Sequence, residues 1–361
     1  MRRLLFLLFI LAPTFAVAQE LSIEKLGLKP PSTSNCTPVK DQYRSSTCWS
    51  FSSTSLLESE LIKKGKGNID LSEMFIARYS MLRKIERHLK LKGGNFFTPG
   101  GQFHDVIWVM KNYGIVPEEA YTGKPYGENN HDHAALDTLL SHFVKEQVGR
   151  GVTILGKQQR SFIDSVLDYY MGELPETFIY RNKSYTAKSF LKLALQLNPD
   201  DYVEITSYTH HPFYSKFVLE DKYNWTGDEY WNVPLADFSR ITDLALDNGF
   251  TVGWDGDATD TGFKFYDGLA YIPTSNKNSL STQRQLDFEN QTTLLDHMMH
   301  IVGRTKELGD QWYYVKNSWG DYSNALGGFL YMREDYFKLR TVAIIVNKAA
   351  IPLDIRKKLG V

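Results

Sequence analysis

Hydrophobic positions follow two regimes along the chain. Up to about residue 200 they recur at helical spacing. Trp49, Phe51, Leu56, Leu57, Leu61 and Ile62 lay an apolar face along a helix that begins near Cys48 and ends by Gly65. A second helical pattern covers 71–89, and a third covers 103–113, where Gly114 stops it. The stretch 95–102 between them is a Gly/Pro loop. In 128–200, Leu, Phe and Tyr sit at helical intervals over 134–149, 160–171 and 186–197, which predicts a mainly helical insertion. From about 202 the pattern changes to short β-rich runs at 202–207, 250–254, 300–304, 312–316, 328–332 and 341–346. One helix, 235–248, interrupts them, and 353–359 in the tail again looks helical. Helices first and an antiparallel sheet afterwards predict an α+β fold of two lobes.

The first 18 residues differ from the rest. Arg2 and Arg3 precede an apolar run from Leu4 to Leu11, Pro13 ends it, and Ala16-Val17-Ala18 is a small-residue cleavage signature. This pattern predicts a secretory signal peptide. The run is too short for a membrane span, which needs about 20 apolar residues. Gln19 follows the cut, where a lipid-anchored bacterial protein would need Cys. A freely soluble product, periplasmic or extracellular, is expected, with no membrane insertion. Residues 19–34 are polar, broken by Pro30 and Pro31, and read as an N-terminal arm.

Composition narrows the function classes. Lysine and arginine number 41 against 42 acidic residues, so no basic excess points to nucleic acid. With 42% hydrophobic residues the chain can build a large core. Its two cysteines, Cys36 and Cys48, are 12 positions apart, and the fold is expected to rest on its core without a bridge between them.

Three segments could carry chemistry. The first runs Pro38-Val39-Lys40-Asp41-Gln42-Tyr43-Arg44-Ser45-Ser46-Thr47-Cys48-Trp49. A Cys opening a helix sits in the positive end of the helix dipole, which favours thiolate; the alternative is a buried structural thiol. The others are Asp296-His297-Met298-Met299-His300 and Val315-Lys316-Asn317-Ser318-Trp319-Gly320. A thiol nucleophile needs a base, and the base needs an orienting group. His and Asn on neighbouring strands can supply both. His297-x-x-His300 could be read as a metal pair, but strand positions three apart face opposite ways. His131-x-His133 and His210-His211 lie in polar stretches and are expected to be solvated. No metal or other cofactor is expected. Sequons at Asn35, Asn182, Asn224 and Asn290 matter only in a source that glycosylates.

Together these segments resemble the papain family of cysteine peptidases. That family places a Gln six residues before the nucleophile, as Gln42 precedes Cys48, and carries the Cys-Trp, Asp-His and Asn-Ser-Trp-Gly words found here in the same order. The resemblance implies Cys48 as nucleophile, His297 as base, Asn317 as its orienting group and Gln42 as oxyanion donor. Gly100 and Gly101 resemble the Gly pair along which substrate backbone lies, although a plain turn would read the same. Trp319 would shield the His–Asn pair, although a core Trp would look identical. The family's Cys-Gly-Ser-Cys-Trp is Ser45-Ser46-Thr47-Cys48-Trp49 here, so a disulfide cysteine is missing. His297 lies about 250 residues after Cys48, which requires a large insertion.

The insertion and the absence of a long propeptide before Cys48 resemble the bleomycin hydrolase and aminopeptidase C branch. So does Trp231-Asn232-Val233-Pro234-Leu235, with its helix, ahead of Thr251-Val252-Gly253-Trp254-Asp255. In that branch a C-terminal arm enters the cleft and its carboxylate binds the substrate amine; the tail after Val346 is short for this. The expectation is an exported aminopeptidase acting on peptide substrates as a monomer or small homo-oligomer. The rivals are a papain-like endopeptidase, an inactive peptide-binding protein of the same fold, and a zinc hydrolase, for which ligands are lacking. The expected layout is a leader at 1–18, an arm at 19–34, a helical lobe at 35–127, the insertion at 128–200, a β-rich lobe at 201–346 and a tail at 347–361.

Overall fold

Helix signals in the first half translate directly into helices. The computed structural model describes residues 21–31, 35–125, 128–273 and 280–361; the predicted leader lies outside them. After a short turn α1 (Ile23–Leu26), the helical lobe is built from α2 (Cys48–Lys63), α3 (Glu73–Lys90) and α4 (Phe103–Asn112). Ser72 caps α3 by accepting from the Phe75 N–H, and Gln102 with Asp105 forms a capping box on α4. α2 departs from its predicted one-sided pattern. Every residue from Trp49 to Leu61 is buried. Its small hydroxyl residues make this possible by bonding inward: Ser53 and Thr54 donate to carbonyls one turn back, and Ser50 donates to Glu73 O.

The region after residue 128 contributes α5 (Ala134–Gly149) and α6 (Lys157–Met171), a hairpin of β1 (Phe178–Tyr180) and β2 (Lys183–Tyr185), and α7 (Ala187–Ser189) running into a π-turn over Phe190–Leu195. The hairpin was not legible as such: its strands are three residues long, and their aromatic residues fit a helical interval as well. Leu136, Leu140, Val144, Ile163 and Leu167 pack into the same core as Phe75, Ile76 and Leu82, so this region thickens the helical lobe. His131 and His133 correct another expectation. They are 6% and 2% exposed, not solvated, and burial pushes their imidazoles down to about 3 and about 4.

All six predicted β runs are strands. The rest are short strands that carry too few residues for alternation to register. In chain order the strands of this lobe are β3 (Tyr202–Thr206), β4 (Lys216–Val218), β5 (Glu229–Asn232), β6 (Val252–Gly256), β7 (Phe263–Lys264), β8 (Leu269–Ala270), β9 (His297–Glu307), β10 (Asp310–Lys316), β11 (Phe329–Arg333) and β12 (Thr341–Asn347), of which β4, β5, β7 and β8 are the short ones. They join in one sheet of order β4-β5-β3-β12-β6-β9-β10-β11-β8-β7. The sheet is mixed: β3 with β5 and β8 with β11 run parallel, which corrects the purely antiparallel expectation. Helix α8 (Leu235–Asp247) covers one face, burying Phe238, Ile241 and Ala245 with Trp254, Ile301 and Ile344. Met298 and Ile345 point the other way, into the core of the helical lobe. Helices α9 (Leu280–Glu289), α10 (Glu334–Arg340) and α11 (Leu353–Leu359) complete the described chain. Among the described residues no helix is long and apolar enough to cross a membrane.

Candidate active site

Two registers bring the predicted residues together. Cys48 is the first residue of α2, and His297 is the first residue of β9, against which α2 packs. Backbone N–H groups of Met298 and Trp49 approach the Cys48 sulfur, which places the thiol beside His297. Cys48, Gln42, His297, Trp319, Gly100 and Gly101 all line one cavity of about 330 Å³. Asn317 lies behind it, one residue beyond the end of β10.

The hydrogen bonds fix the chemistry of each group. His297 Nε2 lies 2.7 Å from Asn317 Oδ1. The Ser318 N–H donates to the same Oδ1 at 2.8 Å, which identifies that atom as oxygen. Nε2 therefore carries the proton, and Nδ1 keeps the lone pair that a base requires. Gln42 is set in the same manner. Its N–H donates to Ser318 O at 2.8 Å and its Oε1 accepts from Ser318 Oγ at 2.7 Å, so the Nε2 amide is left to donate. The Cys48 N–H, in the first turn of α2, has no acceptor within the helix. These two donors can serve a developing oxyanion. The Trp319 ring lies 4.8 Å from that of His297 and covers it. Ser318 was missed by sequence reasoning, although it sits inside the Asn-Ser-Trp-Gly word.

Gly100 and Gly101 have a packing reason for lacking side chains. A Cβ on Gly101 would lie 2.7 Å from the Trp49 indole, and one on Gly100 would lie 3.3 Å from Tyr223. Lys84, buried behind this loop, donates to Thr98 O at 2.9 Å and to Gly100 O. Burial pulls its ammonium down to about 8.

Ser46 stands where the papain pattern has Gly. Its φ is 54°, the left-handed region that Gly would take without cost.

His300 faces away from His297, as alternation requires, with Nδ1 2.8 Å from Ser55 Oγ. Cys36 and Cys48 are both free thiols.

The electrostatics correct the expected thiolate. Burial pushes the Cys48 thiol up to about 12, and the nearby Asp255 and Asp296 carboxylates add to it; the two N–H groups only partly offset this. Burial likewise pushes the His297 imidazole down to about 4. Both shifts favour the neutral forms, a protonated thiol and an imidazole whose proton sits on Nε2. Desolvation outweighs the helix dipole because it acts on the whole charge, whereas the dipole contributes about half a charge at the helix end. Asp255 is a further lining residue that sequence reasoning missed. The signal was present as an acid inside the otherwise apolar run 250–254 and its continuation.

The tail does not take part. Ile355 and Leu359 of α11 are buried in the β-lobe core, and Arg240 holds Asp354 through bonds of 2.7 and 2.8 Å. None of the described residues 347–361 lines the cavity, so these residues do not form the arm that the branch resemblance implies.

Comparison with known proteins gives the family. The model of the Peptidase C1-like family matches residues 31–360. The chain belongs to the Peptidase C1-like family. Among relatives of this cysteine-type peptidase, it is similar to Aminopeptidase G of Lactobacillus delbrueckii subsp. lactis, at 25% identity over 88% of this chain and 82% of that protein. It is similar at 22% to Aminopeptidase C of the same organism, over 88% and 81%. Cysteine proteinase 1, mitochondrial, of Saccharomyces cerevisiae is 25% identical over 90% and 78%. In structure the chain resembles PepW from Lactobacillus rhamnosis HN001, with a TM-score of 0.72 at 18% identity, over 93% of this chain and 86% of that one. The α+β papain-like fold is thereby shown for this family member.

Three outcomes are expected. An imidazole acting as base in its neutral form would persist down to about pH 4, so the acid limb of kcat/KM should lie near pH 4 and not near the ordinary histidine value. The Asn317 hydrogen bond favours the imidazolium, so Asn317→Ala should lower kcat/KM roughly 100-fold and move that limb to still lower pH. A limb that stays in place or rises would contradict the assignment. Ser46→Gly should raise stability by about 1 kcal/mol, read as a higher denaturation midpoint; a lower midpoint would show that the left-handed turn is not strained.

Proposed function

We propose that this family member is an exported peptidase that hydrolyses peptide bonds through Cys48, His297, Asn317 and Gln42, with aminopeptidase action. One observation carries the reading: a thiol, an imidazole of defined tautomer and a free amide donor meet at one cavity. Cys48 Sγ attacks the scissile carbonyl while its proton passes to His297 Nδ1. The oxyanion rests on the Gln42 amide and the Cys48 N–H, each worth about 3 kcal/mol. His297 then protonates the leaving amine, and the thioester left on Cys48 is hydrolysed by a water that His297 activates. Trp319 keeps bulk water from the His297–Asn317 pair. Gly100 and Gly101 offer a flat edge to substrate backbone.

Aminopeptidase action is supported by the names of the relatives. The tail, folded away from the cavity, favours a second reading, an endopeptidase whose substrates run through. Selective alkylation of Cys48 by iodoacetamide, with loss of all cleavage in Cys48→Ala, is expected under both. A free-amine peptide should be cleaved at least about tenfold faster than its N-acetylated twin; equal rates would replace the aminopeptidase reading with the endopeptidase one.

Export is supported by the leader pattern of residues 1–18. N-terminal sequencing of secreted protein should begin at Gln19, and sedimentation should give a monomer or small oligomer. Retention of Met1, or a stable hexamer, would overturn the respective reading.

A further inference from the structure

The mechanism leaves the Asp255 carboxylate unused. Asp255 lies on β6 and is 1% exposed, yet neither of its oxygens has a hydrogen-bond partner among the described residues. Unpaired buried carboxylates are rare, because desolvation without a compensating bond is costly. Nothing nearby relieves this one. Asp221, Glu204 and Asp296 raise its proton affinity further, on top of burial. The residue also lines the catalytic cavity, and β6 pairs with β9 so that Asp255 stands opposite Met298, one register step from His297 opposite Gly256. Among the described residues the cavity lining holds two carboxylates, Asp255 and Asp296, and neither lysine nor arginine. Tyr223, Leu295 and Met298 form the less polar wall beside them. Lys84, behind the Gly loop, is committed to carbonyl oxygens.

A purely structural role does not account for this residue. Its side chain makes no hydrogen bond among the described residues, and a neutral side chain of the same shape would pack there at lower cost. A cationic ligand in the cavity would supply the missing partner. We propose that Asp255 receives a cationic nitrogen of the bound peptide, either its free α-ammonium or the side chain of a Lys or Arg residue, and thereby sets the substrate choice of this peptidase. The inference rests on the peptidase reading. Arrival of the cation ionises the acid, whose proton leaves to solvent. The resulting ion pair forms in a site shielded from water, where charge-assisted bonds are strong. A neutral group in the same place would leave the acid unpaired, so the site discriminates by charge.

The test compares the full chain with Asp255→Asn and Asp255→Glu. One arm measures kcat/KM for a free-amine peptide against its N-acetylated twin. A second measures N-acetylated peptides carrying Lys against norleucine at each of the two positions before the cleaved bond. A third needs no cleavage: the rate of Cys48 alkylation by cationic 2-bromoethylamine against neutral iodoacetamide, each normalised to its rate with glutathione. Wild type should favour the cation about tenfold or more in the first or second arm and in labelling. The preference should fall towards one in Asp255→Asn and persist in Asp255→Glu. The arm that responds tells the α-ammonium from the side chain. No cation preference in wild type, or one that Asp255→Asn leaves intact, would overturn the proposal. So would a melting temperature of Asp255→Asn well below wild type, which would mark a structural role. Cleavage of no peptide, together with an Asp255-dependent labelling bias, would remove the peptidase reading and leave the cation site standing.

Discussion

The contact on which everything else depends is the seating of α2 across β9. It joins two parts of the chain that lie about 250 residues apart and places Cys48 beside His297. The interface is held by hydroxyl groups as much as by apolar surface. Ser52 Oγ donates to Met299 O at 2.6 Å, Ser55 Oγ meets His300 Nδ1 at 2.8 Å, and Lys316 Nζ donates to Ser55 Oγ at 2.8 Å. A backbone or imidazole acceptor buried without such donors would cost about 1–3 kcal/mol. The small residues of α2 therefore do two things. They let the helix come close to the sheet, and they pair the polar groups that closeness would otherwise strand.

Buried charge extends this network under the site. Lys40 meets Glu73 at 2.6 Å, is also close to Glu58 and Asp70, and donates to Leu71 O. Glu58 accepts from the Leu71 N–H and from Thr37 Oγ1. Lys316, pulled down by burial, reaches Thr37 Oγ1 as well as Ser55. These bonds tie the strand ending at Lys316, just before Asn317, to the loop that carries Gln42. The members of the site are thus fixed to one another from behind. Preorganised donors act in catalysis because they need not reorganise when charge develops.

The same dryness that holds the network determines the resting state of the pair. Both Cys48 and His297 are pushed towards neutrality by desolvation. Asp255 belongs to this balance: burial, with Asp221, Glu204 and Asp296, raises its own proton affinity, and its ionised form raises that of the thiol. A peptide cation next to Asp255 would alter the field that the thiol feels, so recognition and nucleophile share one electrostatic environment.

Much of this was readable from residues alone, because it depends on local periodicity and on short words. The helices over 48–63, 73–90 and 103–112, the six long β runs and the tail helix follow from 3.6- and 2-residue patterns. The words around Gln42, Cys48, His297 and Asn317 pointed to the candidate site through their resemblance to the papain family. Tertiary structure alone decided the rest. The hairpin at 178–185, the parallel pairs and the burial of His131 and His133 depend on partners remote in sequence. The neutral resting pair and the unpaired Asp255 carboxylate depend on how much water the packed lobes exclude. The physical reason is that patterning is a property of neighbours along the chain, whereas desolvation is a property of neighbours in space.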